Sequence, residues 1–132
     1  MGSRQIRMEM TELDIALENL IGVKLSYMRP PYGSLSTTAE TTLVSMGYNI
    51  VLWSVDTNDW RHPDDINESL IPIREAINSG DEQGPVILMH DTIEKTVTEL
   101  TPQAIDLIRS NGFKMVTVGE CLGKPENEWY RN

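Results

Sequence analysis

The chain is poor in the residues that build metal centres and disulfide frameworks, with one cysteine and two histidines in 132 residues. A lone cysteine excludes an internal disulfide. It leaves Cys121 either as a buried thiol acting as a small hydrophobe, which the residues alone favour, or as half of a bridge whose partner is missing. Zinc sites want three or four His, Cys or Asp/Glu ligands, and the second histidine, His62, sits in a Pro/Asp turn without matching spacing, so no metal ligands are assigned. Cations are scarce too: 11 Lys and Arg stand against 20 Asp and Glu, a net charge of -9. That argues against nucleic acid, which needs a basic stripe. No apolar run approaches the ~18 to 20 residues that cross a bilayer. The opening MGSRQIRMEM carries neither a secretory signal nor an organelle address, and Met1-Gly2-Ser3 reads as a cloning remnant. What is present is 39% hydrophobic, one domain's worth and enough for a core.

Along the chain, Ile6, Met10, Leu13, Leu17 and Leu20 recur at helical spacing up to Gly22. A short strand over Leu25 to Met28 follows. Thr37 with Glu40 is a capping box that opens a helix closed by Gly47. Tyr48 to Val55 reads as a buried strand. Pro63, Asp64 and Asp65 suit a helix start, and Ile66, Leu70, Ile73 and Ile77 continue to Gly80, with Pro72 as a bend. Val86 to His90 is a third strand, Ala104 to Ser110 belongs to a fourth helix ended by Gly112, and Lys114 to Val118 is a fourth strand. No linker, repeat or low-complexity tract interrupts the order. Alternating helices and strands predict an α/β fold of about four parallel strands with helices outside. Two architectures remain, a small doubly wound parallel sheet or about half of a (β/α) barrel, since a complete barrel wants at least ~200 residues. Both place their sites at the carboxyl ends of the strands.

Each of the first three strands delivers a polar cluster at that end: SYMRPPYG, then DTNDW, then HD. Arg29-Pro30-Pro31-Tyr32-Gly33 sets a fixed cation before a rigid turn, able to orient a carboxylate. Asp56 and Asp59 bracket Thr57-Asn58, with Trp60 next, an aromatic suited to a sugar ring. His90, with an unperturbed pKa near ~6.5, is the natural proton donor to a leaving group, its tautomer fixed by Asp56 or Asp59. A plain proline turn, an Asp/Asn turn and a hydrogen-bonded core histidine would explain the clusters one by one. They do not explain why all three fall on the same rim. As a set this is an arginine, an acidic pair, an aromatic and a general acid, without a nucleophile or an electrophile.

RPPYG, DTNDW and LMHD, in this order and spacing, resemble motifs three, four and five of the polysaccharide deacetylases of carbohydrate esterase family 4, the NodB homology domain. The closing VTVGECLG, with Trp129 and Tyr130 near the end, resembles the fungal chitin deacetylases within it. The resemblance implies a distorted (β/α) barrel, of which this chain is the C-terminal portion, and metal-dependent N-deacetylation of chitin or a related N-acetylated polysaccharide, usually with Zn²⁺. It implies that Arg29 orients the catalytic base, that Pro31 and Tyr32 line the groove with the Tyr32 N–H near the oxyanion, and that Trp60 forms a groove wall. Asp56 or Asp59 would tune the histidine, Leu88 would line the acetyl pocket, and His90 would be the general acid. The family's first motif, an aspartate pair supplying the base and a metal ligand, and its second, two histidines four apart, do not occur here, so the ligands of the implied Zn²⁺ are absent and the chain alone is expected to be inactive.

By the same resemblance Cys121 pairs with a cysteine near the N-terminus of its relatives, and the protein is secreted or in the cell wall although no signal peptide is present. The expected organisation is a remnant at 1–3, a partial deacetylase domain at 4–123 and a tail at 124–132. The expected partners are chitin or an N-acetylated oligosaccharide, and a second copy or the missing N-terminal half covering the open sheet edges. The competing reading is a non-catalytic glycan-binding or interaction module on the same fold. A glycosidase pair of Asp56 and Asp59 ranks last, because residues three apart on one turn do not flank a bond at the ~5 to 9.5 Å such enzymes use.

Overall fold

The computed structural model of the chain describes residues 2–80 and 84–131. Met1 of the expected remnant and Asn132 of the expected tail lie outside the described residues. In chain order the elements are α1 (Ser3–Ile21), β1 (Lys24–Leu25), β2 (Tyr27–Met28), α2 (Thr37–Ser45), β3 (Asn49–Ile50), β4 (Val55–Asp56), α3 (Ile66–Asn78), β5 (Ile87–Leu88), α4 (Thr101–Ser110), α5 (Val118–Cys121) and β6 (Tyr130–Arg131). Among the described residues there are also two 3₁₀ turns, Pro31–Gly33 and Glu126–Glu128, and a π-helical turn, Thr96–Leu100. The chain forms two compact units, Met1–Leu52 with Thr117–Asn132, and Trp53–Val116.

In the first unit α1 ends where Gly22 turns left-handed at φ 77 and its N–H closes on the Glu18 carbonyl at 2.9 Å, a conformation that glycine reaches without steric cost. The buried stripe differs from the one the apolar spacing predicts. Ile6 is buried against Leu43 and Tyr48, with Met10 beside them, but Leu13 is 49% exposed while its neighbour Asp14 is 7% exposed. The stripe therefore runs Ile6, Met10, Asp14, Leu17. Asp14 holds its buried position because distant groups satisfy its charge. Arg131 Nη2 donates to both of its oxygens at 2.8 and 2.9 Å, and the Tyr48 hydroxyl donates to Oδ1 at 2.6 Å. Arg131 Nε and Nη1 donate to the Leu25 and Met46 carbonyls at 2.8 and 2.6 Å, and its guanidinium lies 3.7 Å from the centre of the Tyr48 ring.

Burial first, then the bond to Asp14, pushes the Tyr48 hydroxyl up to about 12. Its folded value lies above the ordinary ~10, so its contribution to stability is complete below pH ~10 and is lost as the pH rises through the folded value. Replacing Asp14 with alanine leaves a largely buried guanidinium unpaired and is expected to cost about 3 kcal/mol, read from the urea midpoint. It should also bring the phenolate absorbance transition of Tyr48 down from about 12.

The first unit holds two strand pairs, β1 antiparallel to β6 and β2 parallel to β3. The single strand read over Leu25 to Met28 is thus two, because Ser26 turns aside: its N–H goes to the Trp129 carbonyl at 3.0 Å. The N-cap of α2 is Ser36, accepting from the Ala39 N–H at 3.2 Å, one residue earlier than the Thr37 box. Gly119 is buried under the Trp129 indole, which a Cβ there would strike. Cys121, read as a buried thiol, is exposed, since the one-turn α5 presents no broad face to bury.

The second unit pairs β4 with β5 in parallel, Val55 opposite Ile87 and Asp56 opposite Leu88. Val55, Leu70, Ile73, Leu100 and Ala104 form its core, with α3 contributing Leu70 and Ile73 at 2% and 0% exposure. Burying each of those two side chains is worth roughly 2 to 3 kcal/mol. Asp65 caps α3, accepting from the Asn67 N–H at 3.1 Å.

Two further strand readings change. Tyr48 to Val55 splits into β3 and β4, which pair in different units, with Leu52 at 53% exposure between them. Lys114 to Val118 is no strand: residues 114–117 have no regular structure, and Thr117 instead caps α5, its hydroxyl accepting from the Glu120 N–H at 3.3 Å. A β-rich composition forms a ladder only where a partner strand exists. Among the described residues the strands lie in three two-stranded pairs, so the single doubly wound sheet does not form.

Candidate active site

Because β4 and β5 run parallel, both chains leave the pair at the same edge, and the segments that follow, Thr57 to Trp60 and Met89 to His90, start side by side. Thr57 locks them together, its hydroxyl donating to the Leu88 carbonyl at 2.7 Å. Asp56 closes a turn on itself: Oδ1 accepts the Asn58 N–H at 2.9 Å, and Asn58 takes a left-handed φ of 50, which asparagine tolerates. The reversal carries Asp59 inward, where it is 2% exposed.

Four donors converge on that carboxylate. Oδ1 accepts the Trp60 N–H at 2.9 Å and the His90 ring Nδ1–H at 2.7 Å. Oδ2 accepts the His90 backbone N–H at 2.6 Å and the Thr96 hydroxyl at 3.0 Å. Burial alone would raise the pKa of Asp59, but the bonds from the His90 ring, the His90 N–H and Thr96 outweigh it and hold the carboxyl below its ordinary value. An ionised carboxylate only accepts, so Nδ1 carries the proton. His90 is therefore gripped twice by one side chain. Its ring keeps 29% exposure, and among the described residues Nε2 has no hydrogen-bond partner, which leaves it available to a ligand.

Of the two aspartates that the motif left open, Asp59 bonds His90 and Asp56 shapes the turn. Trp60 is 54% exposed, and the Arg61 guanidinium lies 5.1 Å from its ring centre, a contact that restrains the indole. Leu88 is 7% exposed. Arg29, Pro31 and Tyr32 belong to the first unit. There Pro30 is fully buried as an anchor, the 3₁₀ turn closes with the Gly33 N–H on the Pro30 carbonyl at 3.1 Å, and Tyr32 is 98% exposed with φ 58. A non-glycine residue held at that φ carries strain, and here it follows the rigid Pro30-Pro31 pair.

Thr57 and Thr96 escaped the motif reading. Thr57 lies inside DTNDW but resembles a turn residue. Thr96 precedes Leu100 and Ala104 by regular steps of four, so its signal was a polar residue at the head of an apolar stripe. No metal centre is offered by these side chains: Asp59 and Nδ1 of His90 are engaged with each other, and among the described residues no group of three or more His, Cys, Asp or Glu stands together. A Zn²⁺ ion does not fit the donor set of this chain by itself.

No family model matches the chain. It is 39% identical over 128 residues to a chitin deacetylase of Pestalotiopsis sp, covering 96% of this chain and 42% of that protein. A probable peptidoglycan-N-acetylglucosamine deacetylase of Arthroderma benhamiae is 38% identical, over 93% of this chain and 28% of its own length. The solved chitin deacetylase of Colletotrichum lindemuthianum superposes with a TM-score of 0.85 at 30% identity, covering 99% of this chain and 59% of that one. The chain thus spans less than two thirds of the length of these relatives.

Proposed function

The chain belongs to the polysaccharide deacetylases of carbohydrate esterase family 4, with the α/β fold of part of a distorted (β/α) barrel, and we propose that it supplies the proton-donating side of an N-deacetylase site acting on chitin or a related N-acetylated glycan. The observation that carries this reading is the Asp59–His90 couple. A buried carboxylate fixes Nδ1–H at 2.7 Å and turns Nε2 outward, the arrangement needed to pass a proton to a departing amine.

In the hydrolysis, water gives up a proton to the base as it adds to the acetyl carbonyl carbon, the C–N bond breaks with its electron pair staying on nitrogen, and the sugar amine leaves with the proton that His90 carries on Nε2 in its imidazolium form. Asp59 holds the imidazolium in place while the proton moves. Trp60 offers a flat apolar face to a sugar ring and Leu88 bounds the acetyl group, while the family resemblance assigns Arg29 to orienting the base, Pro31 and Tyr32 to the groove and the Tyr32 N–H to the oxyanion. The base and the ligands for Zn²⁺, which polarises the carbonyl when bound, would come from the further length that the relatives possess. The setting proposed along with this activity is secreted or cell-wall.

The test is a chimera in which this chain replaces the matched part of the Colletotrichum chitin deacetylase. It is expected to release acetate from N-acetylated chito-oligomers, and a folded but inactive chimera would favour the glycan-binding reading. Trp60→Ala in that chimera should leave the thermal midpoint unchanged, because the side chain is 54% exposed. It should raise KM by roughly tenfold, the equivalent of about 1.4 kcal/mol of lost stacking.

A further inference from the structure

We propose that Thr96 is a positioning residue of this site: its hydroxyl sets the rotation of the Asp59 carboxylate and, through it, the orientation of the His90 ring. The inference rests on the reading of His90 as the proton donor. Three of the four donors on Asp59 come from Trp60 and from His90 itself, the two segments that leave the strand pair. Only the Thr96 hydroxyl, at 3.0 Å from Oδ2, reaches the carboxylate from a helix anchored in the core. It ties the rotation of the carboxylate to something other than the residues being oriented.

The local backbone is built to deliver that hydroxyl. In an α-helix a step of four residues overshoots one turn by about 40°. Two such steps back from Ala104, through Leu100, would carry position 96 about 80° off the core-facing line. The chain instead makes a π-helical turn over Thr96–Leu100, with the Thr101 N–H returning to the Thr96 carbonyl and the Thr101 hydroxyl donating to the same oxygen at 2.7 Å. The wider turn takes up the overshoot. Thr96, Leu100 and Ala104 are consequently buried together at 3%, 1% and 1% exposure. Such a turn is poorer in hydrogen-bond geometry than an α-helix and often marks a functional position. Here it aims a hydroxyl at a carboxylate that an α-helical threonine would miss.

Two variants separate hydroxyl from packing. Thr96→Val keeps the shape and removes the donor, while Thr96→Ser keeps the donor and removes a methyl. Ring ¹⁵N and ¹H spectra of the 132-residue chain are simple to read, since it has only two histidines. Thr96→Val is expected to weaken or broaden away the His90 Nδ1–H resonance bonded to Asp59 and to move the Asp59 carboxyl titration upward, whereas Thr96→Ser should match the parent in both. A parent-like spectrum from Thr96→Val, or loss of the resonance in Thr96→Ser with retention in Thr96→Val, overturns the inference. Should the valine variant fail to fold, the serine variant decides alone, because loss of the resonance despite a retained hydroxyl is fatal to the proposal. These spectra do not depend on turnover. If the chimera keeps its activity without His90, the acid reading fails while the positioning of the ring still stands or falls on the spectra.

Discussion

His90→Gln in the acetate-releasing chimera is expected to lower kcat by about 10² to 10⁴-fold, the usual worth of a positioned general acid, with KM within a few-fold of the parent. Glutamine keeps a polar side chain of similar reach and can still donate to Asp59, so the fold and the groove should survive. It has no proton to release to an amine. Because proton donation to the departing nitrogen is made only in the transition state, the loss should fall on kcat. A raised KM with unchanged kcat would make His90 a binding residue and remove the acid from the proposed chemistry.

Asp59→Asn should be costly in two separate ways. The carboxylate accepts from four donors within 3.0 Å, and an amide can accept only through its oxygen. Whichever way the amide is turned, its NH₂ faces donors in a site that is 2% exposed. Unsatisfied buried groups cost about 1 to 3 kcal/mol each, so a loss of roughly 2 to 4 kcal/mol in the urea midpoint is expected. Turnover in the chimera should fall as well, by up to about 10⁴-fold, because the group that fixes the imidazole tautomer is gone.

The pH dependence checks the same site. Asp59 is held below its ordinary value by the His90 ring, the His90 N–H and Thr96, against the opposing effect of burial. A carboxyl with a depressed folded value stabilises the fold above its unfolded value of about 3.9, and that contribution is lost as the pH falls through the folded value. The parent should therefore lose stability below about pH 4 more steeply than Asp59→Asn. Parallel acid limbs for the two proteins would mean that Asp59 is not ionised in the folded chain.

Much of this was readable in the residues. The helix over Ser3–Ile21 stopped at Gly22 because a left-handed end is a local property that glycine advertises. The parallel pairing of β4 with β5 followed from the helix between them, and with it the placement of DTNDW and HD at one edge. The motifs RPPYG, DTNDW and LMHD were sufficient to indicate the family, which the relatives then showed. Each of these depends on residues within a few positions of one another, or on the order of elements along the chain.

What required the tertiary structure were choices made by distant partners. Asp56 and Asp59 are alike in sequence, and only the turn at Asn58 sent one of them inward to His90, 31 residues away. Leu13 yielded its place in the buried stripe to Asp14 because Arg131, 117 residues on, neutralises that charge. Lys114 to Val118 has the composition of a strand yet forms none, since a strand exists only by virtue of its neighbour. Thr96 became part of the site through a π-helical turn that no side-chain pattern announces. Apolar spacing and turn residues determine where the chain bends and which faces can be buried. Whether a polar group is tolerated inside, and which of two like groups is used, depends on donors and charges that only folding brings within hydrogen-bonding distance.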